Sequence, residues 1–123
     1  MILVDTSVWV QHLRDGVERL AMLLGLGEVL GHPFVVGELA LGNMRRRGAV
    51  LSDFRDLPQA TVAAEDQILG FIDGQALLGR GIGYVDAHLL AATRLTPGAK
   101  LWTHDRRLHA VAAQLSLAAT LSQ

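Results

Sequence analysis

Four acidic residues stand where a solvated surface does not place them: Asp5, Glu38, Asp86 and Asp105. Asp5 ends the apolar run Ile2-Leu3-Val4 and is followed by Thr6-Ser7 and a helical pattern of Val8, Trp9, Val10 and Leu13. Glu38 lies between Val35 and Leu39, about one turn into a helix that His32-Pro33 opens. Asp86 falls in the first turn of Tyr84 to Leu95, a stretch apolar almost all round, with Leu89 and Leu90 at i+3 and i+4. Asp105 follows a strand that ends at Thr103. Each has a plain structural reading: helix-amide pairing for Asp5, a half-exposed helical carboxylate for Glu38, a first-turn charge for Asp86. For Asp105 taken alone, an N-cap is the better reading. Taken together they describe a cluster. Two carboxylates about 4 Å apart at an effective dielectric of about 20 repel by roughly 4 kcal/mol, so four need cations or protons. Oxygen-only donors, with no cysteine and no histidine at ligand spacing, suit Mg2+ or Mn2+ rather than Zn2+. Such ions serve in-line phosphoryl displacement, the chemistry of a metal-dependent phosphodiesterase.

The elements that must position these groups follow from patterning. Ile2-Leu3-Val4 reads as a strand buried on both faces, the mark of a parallel sheet, which puts Asp5 at a carboxyl edge where such sheets bind ligands. Asp15-Gly16 turns the chain into a helix over Val17 to Leu26, and Glu28 to His32 reads as a second strand. The helix carrying Glu38 stops at Gly42-Asn43, and Arg45-Arg46-Arg47 open a polar helix towards Asp53. Leu57 to Val62 reads as an edge strand, since Pro58 is tolerated there and not centrally. Ala64 to Leu78 is expected to be a helix with Ile68, Leu69, Ile72 and Ala76 inward, followed by the flexible loop Gly79 to Gly83. The Tyr84 to Leu95 helix is expected to be central and buried. Lys100 to Thr103 reads as a strand, Asp105 to Leu115 as a helix and Leu117 to Leu121 as a last edge strand. Alternating strands and helices mean an α/β domain with a mainly parallel sheet.

Bulk properties narrow the class. The 123 residues make one domain, 1–123, half of them apolar, with a net charge of −1 that sets up no global basic field. A mean hydropathy of +0.32 is high for a small soluble chain and implies a buried sheet or a surface covered by a partner. The absence of cysteine excludes disulfides and thiol chemistry. No basic, then apolar, leader opens the sequence and no apolar run approaches the ~20 residues of a membrane span, so a soluble, cytoplasmic protein is expected.

The run Ile2 to Trp9, the helix holding Glu38-Leu39, the stretch Gly83-Tyr84-Val85-Asp86-Ala87-His88-Leu89-Leu90-Ala91 and the segment Leu101-Trp102-Thr103-His104-Asp105 resemble a PIN domain. More narrowly they resemble the VapC-type toxins of bacterial toxin–antitoxin pairs. The resemblance spans essentially the whole chain. It implies a single PIN-like α/β/α domain around a mainly parallel four- to five-stranded sheet. It also implies Mg2+-dependent endoribonuclease activity with Mn2+ as a substitute, a homodimer, and inhibition by a small cognate antitoxin. Asp5, Glu38, Asp86 and Asp105 match the family's acidic positions, and Ser7 and Thr103 its polar helpers. The Gly-His-Pro lead into the Glu38 helix departs from the family's usual Ser or Thr.

On that basis Asp5 and Asp86 are expected to ligate metal directly, and Asp105 directly or through water. Glu38 either binds through water or orients the attacking water. Ser7 and Thr103 are expected to hydrogen-bond the carboxylates, although capping and strand-end roles account for them equally well. Arg106 and Arg107 stand in the first turn of a helix, where a cation costs about 0.3–1 kcal/mol. An RNA phosphate would offset that cost, and pairing with nearby acids is the alternative. Arg45 to Arg47 read as a solvated face, the histidines as packing or surface groups, and Trp9 and Trp102 as core. Receiver and haloacid-dehalogenase-like domains are disfavoured, because they need a lysine after a later strand and Lys100 stands at the beginning of its strand, not after it. The remaining alternatives are a non-catalytic PIN-like module that binds RNA or protein, and a DNA-directed nuclease.

Overall fold

The strand β1 (Ile2–Val4) is the middle of a parallel sheet, between β2 (Val29–Leu30) and β3 (Lys100–Trp102). The computed structural model describes residues 1–121. Ile2 stands opposite Val29 and Lys100, and Val4 opposite Trp102. Leu3 and Val4 are both fully buried, as are Leu101 and nearly Trp102. Successive strand residues point to opposite faces, so helices cover both sides of the sheet.

The sheet is narrower than the sequence patterning predicts. Three strands replace the expected four or five, and the outer two survive as single bridges, Gly31 with Gln59 and Leu101 with Ala118. On one side Gly31 donates to the Pro58 carbonyl at 2.8 Å and accepts from Ala60 N–H at 2.9 Å. Pro58 has no N–H, and β2 itself ends where His32 turns into a helix, so the ladder has nowhere to continue. On the other side Leu101 exchanges bonds with Leu117 and Ala119 at 2.7 and 2.8 Å, and nothing extends the pairing to Leu121.

Seven helices complete the described chain: α1 (Thr6–Asp15), α2 (Glu18–Gly25), α3 (Pro33–Ala40), α4 (Arg47–Arg55), α5 (Glu65–Gly74), α6 (Tyr84–Leu95) and α7 (Arg106–Gln114). None is long and apolar enough to cross a membrane. The α1 helix packs on α3 and α3 on α4, whereas α6 packs on α5 and on β3. The bounds of α6 match the apolar stretch residue for residue, and Ala87 to Thr93 are all buried. Its alanines let the helix axis approach the sheet closely. The helix α5 is shorter than expected. It ends at Gly74, and Leu77 N–H then closes on the Ile72 carbonyl at 3.0 Å with Ala76 at a positive φ of 54°. The reversal buries Leu77 in place of Ala76. Leu69 is 53% exposed, because the inward stripe runs through Ile68, Phe71 and Ile72 and Leu69 lies 100° off it.

His32 joins β2 to α3. Its Nδ1 caps the helix by accepting from Phe34 N–H at 3.0 Å, and its ring is completely buried. Burial, and secondarily the neighbouring His88, push its pKa down from 6.5 to about 4. The folded ring stays neutral while the unfolded chain binds a proton, so stability is lost as pH falls from 6.5 towards 4. The loss amounts to at most about 3 kcal/mol. Chemical denaturation of the His32→Asn variant, which keeps a capping acceptor, should show lower stability at neutral pH but a flatter dependence through this window. An unchanged pH profile would contradict the assignment.

Candidate active site

Asp5 follows β1 and serves as the backbone N-cap of α1, yet its side chain makes no capping bond. Capping by a side chain stabilises a helix by roughly 1 kcal/mol, and Asp5 forgoes it. Its Oδ2 instead accepts from Ser7 Oγ and from Thr103 Oγ1, each at 2.7 Å. Each hydroxyl is itself aimed by a backbone amide. His104 N–H donates to Ser7 Oγ and Asp105 N–H to Thr103 Oγ1, both at 3.0 Å. The carboxylate is thus buried and held in direction by neutral donors.

The other three acids follow the same rule. Asp105 Oδ1 caps α7 by accepting from Leu108 N–H at 2.9 Å, so the plain N-cap reading holds at this position. Asp86 Oδ2 accepts from Gly83 N–H at 3.1 Å, and Glu38 Oε1 from Thr6 Oγ1 at 2.6 Å. In every case one carboxylate oxygen is tied, and the other accepts no hydrogen bond among the described residues. Asp86 registers the company it keeps. Its pKa is raised first by burial and then by the charges of Asp5, Asp105 and Glu38, against the opposing pull of the Gly83 amide. Among the described residues the ion pair that forms is Arg14 with Asp15 on the surface, and no cation neutralises the four acids.

Four anionic oxygens without an internal counter-charge are the donor chemistry of a hard divalent cation. The cluster is nevertheless open. Among the described residues no group of three or more acidic or histidine side chains stands close enough together to hold an ion as placed. Asp86 and Asp105 are each tethered to their own helix start, through Gly83 N–H and Leu108 N–H.

Arg107 lies across Gly81, where an added Cβ would come within 2.9 Å of its Cδ and 3.0 Å of its Nη1. Arg106 is exposed, and neither arginine pairs with an acid among the described residues. Arg47 is not simply solvated, since its Nε and Nη2 both donate to the Ala40 carbonyl at the end of α3. Trp9 and Trp102 are core residues, His88 is buried, and His104 pairs with Gln11 at the surface. Sequence patterning passes over Thr6, whose bond to Glu38 exists only because α1 packs on α3. Between the same helices a groove of about 700 Å3 opens beside Glu38, with Val10, Leu13 and Met44 on its walls and Arg14 and Arg45 on its rim.

The PIN domain family profile matches residues 2–114. Two curated relatives, both "Ribonuclease VapC32", come from Mycobacterium tuberculosis strains H37Rv and CDC 1551. Each is 48% identical to this chain over 118 residues, covering 96% of it and 95% of the relative.

The raised pKa of Asp86 has a definite consequence for the metal-free protein. As pH climbs from the ordinary carboxylate range, the unfolded chain ionises first, so the fold loses stability until Asp86 itself has ionised. Asp86→Asn keeps the acceptor for Gly83 N–H and removes the charge. Its melting temperature should exceed wild type by a margin that widens across that window and closes when millimolar Mg2+ or Mn2+ is added. A constant margin, or one insensitive to the cation, would show that the four charges do not share a site.

Proposed function

The chain belongs to the PIN-domain family, among the VapC ribonucleases, and from that premise we propose that it is a divalent-metal-dependent endoribonuclease, the toxin of a toxin–antitoxin pair. The observation that carries the reading is the set of four carboxylates fixed by neutral donors, each with one oxygen left over. Asp5, Asp86 and Asp105 are the groups that would hold Mg2+, with Mn2+ as a substitute. A divalent cation bound there supplies stabilisation of the charge that develops on the phosphate oxygens in the transition state.

The chain's own residues do the rest. Ser7 and Thr103 stop Asp5 from rotating, so its free oxygen keeps one direction while substrate exchanges. Thr6 does the same for Glu38, which sits at the exposed margin of the cluster and orients the attacking water. Arg106, exposed beside Asp105, meets the RNA backbone at a neighbouring phosphate. The arginine-rimmed apolar groove next to Glu38 is the surface that the antitoxin covers, which accounts for exposed Val10 and Leu13. The active species is a homodimer in the cytoplasm.

The purified protein, freed of any partner, should cleave total RNA when Mg2+ is added and stop when it is chelated, leaving duplex DNA intact. Asp5→Asn and Asp86→Ala should lower the rate by at least about 100-fold, and Ser7→Ala or Thr103→Val by about 10–100-fold. Equal cleavage by wild type and Asp86→Ala would sink the nuclease assignment. Arg106→Ala should weaken RNA binding and reduce the slope of log Kd against log salt by about 0.7. An unchanged slope would leave Arg106 a surface group.

A further inference from the structure

Tyr84 is the first residue of α6 and lies two positions before Asp86, so the two Cα atoms are about 5.5 Å apart. It is the only tyrosine in the chain and is 53% exposed. Among the phenylalanine, tyrosine and tryptophan rings of the described residues it is the exposed one, since every other large exposed apolar side chain is aliphatic or methionine. The ring is not loose. One side meets the buried His88 ring edge-to-face, with centroids 4.7 Å apart and planes at 84°. His88 is braced in turn by Phe34 at 4.5 Å, and Phe34 by His32 at 5.2 Å. Four rings thus run from the cap of α3 to the surface at the start of α6, and the last presents an open side.

The Arg107 guanidinium lies over Gly81, in the loop that leads into α6 three residues before Tyr84. A held, half-exposed aromatic face is a surface on which a base of single-stranded nucleic acid stacks, and a cation carried by the preceding loop is one that the backbone can follow. We propose that Tyr84 is the stacking platform for one base of the RNA, within a nucleotide or two of the phosphate that is cleaved. The proposal deepens the ribonuclease reading and rests on it. It makes Tyr84 a determinant of substrate positioning, indifferent to base identity because every base offers a π-face.

The test is steady-state cleavage of a short single-stranded RNA in Mg2+, repeated with one abasic nucleotide walked along the strand. In wild type, one abasic position near the cut should raise KM by about 5- to 100-fold. Tyr84→Leu, which keeps apolar bulk without a π-face, and Tyr84→Ala should raise KM similarly on intact RNA and become indifferent to that abasic position. Tyr84→Phe and Tyr84→Trp should behave as wild type within about twofold and restore the sensitivity. A purely structural role for the ring would not single out one nucleotide. If wild type cleaves RNA but no abasic position couples to Tyr84, stacking is overturned while the ribonuclease reading stands. If wild type cleaves no RNA, both fall. If sedimentation shows that Tyr84→Ala and Tyr84→Leu change the oligomeric state, the ring is a subunit contact and the proposal is overturned.

Discussion

Four carboxylates near enough for Asp86 to feel the other three, with no counter-charge among the described residues, are the constraint around which this fold is arranged. Among the described residues every tether on them is a neutral hydroxyl or a backbone amide, and none is a lysine or arginine. The choice of donor matters. A guanidinium would stabilise the acids more strongly, but it would also occupy the oxygens and cancel the charge that attracts a cation. Hydroxyls and amides fix direction and leave the charge in place. The repulsion must then be borne by the rest of the structure, and the buried strands and the α6 helix, with Leu3, Val4, Leu89, Leu90 and Leu101 fully enclosed, supply the opposing stability.

Parallel pairing is what brings distant segments to one edge. Asp5 N–H donates to the Trp102 carbonyl at 2.9 Å, so the register of β1 against β3 continues one residue beyond the strands. That extra step sets Thr103 beside Asp5, although 98 positions separate them in sequence. A slip of one residue would turn Thr103 to the opposite face and leave Asp5 with Ser7 alone. The same edge receives the starts of α3 and α6, because a parallel connection must return to begin each strand from the far end. The geometry of the acids is therefore a property of strand register first and of side-chain choice second.

Legibility in the sequence follows from how local each cause is. The burial of Leu3 and Val4, with Ile2 partly covered, and the bounds of α6 depend on runs of neighbouring residues, and both are readable directly. So is the position of each acid relative to its own element, since caps and first turns are local. The bond from Thr6 to Glu38 is not local; it depends on the packing of α1 against α3, and nothing in the Asp-Thr-Ser run distinguishes Thr6 from Ser7 in advance. Arg107 is similar. In sequence it is a misplaced first-turn cation, whereas in space it lies over Gly81, a position whose φ of +79° and missing Cβ make room for it. The outer strands fail for the converse reason. Leu57 to Val62 and Leu117 to Leu121 have local strand character, but a ladder needs a partner of equal length, and β2 and β3 have two and three residues to offer them.

Local imperfection is concentrated on the segments that carry the acids. The neutral His32 accepts at Nδ1, so its proton is on Nε2, and that buried N–H has no protein partner. His88 Nδ1 and Trp102 Nε1 are likewise buried without a protein partner. His32 opens the helix of Glu38, His88 follows Asp86 by two residues, and Trp102 precedes Thr103. A buried polar group without a partner costs about 1–3 kcal/mol, so a sequence selected for stability alone would place apolar groups there. Natural sequences depart from local consistency mainly where function requires it, and here the departures and the carboxylates share the same segments. The bland parts of the chain, such as the alanines of α6, make that concentration tolerable by packing the sheet tightly around it.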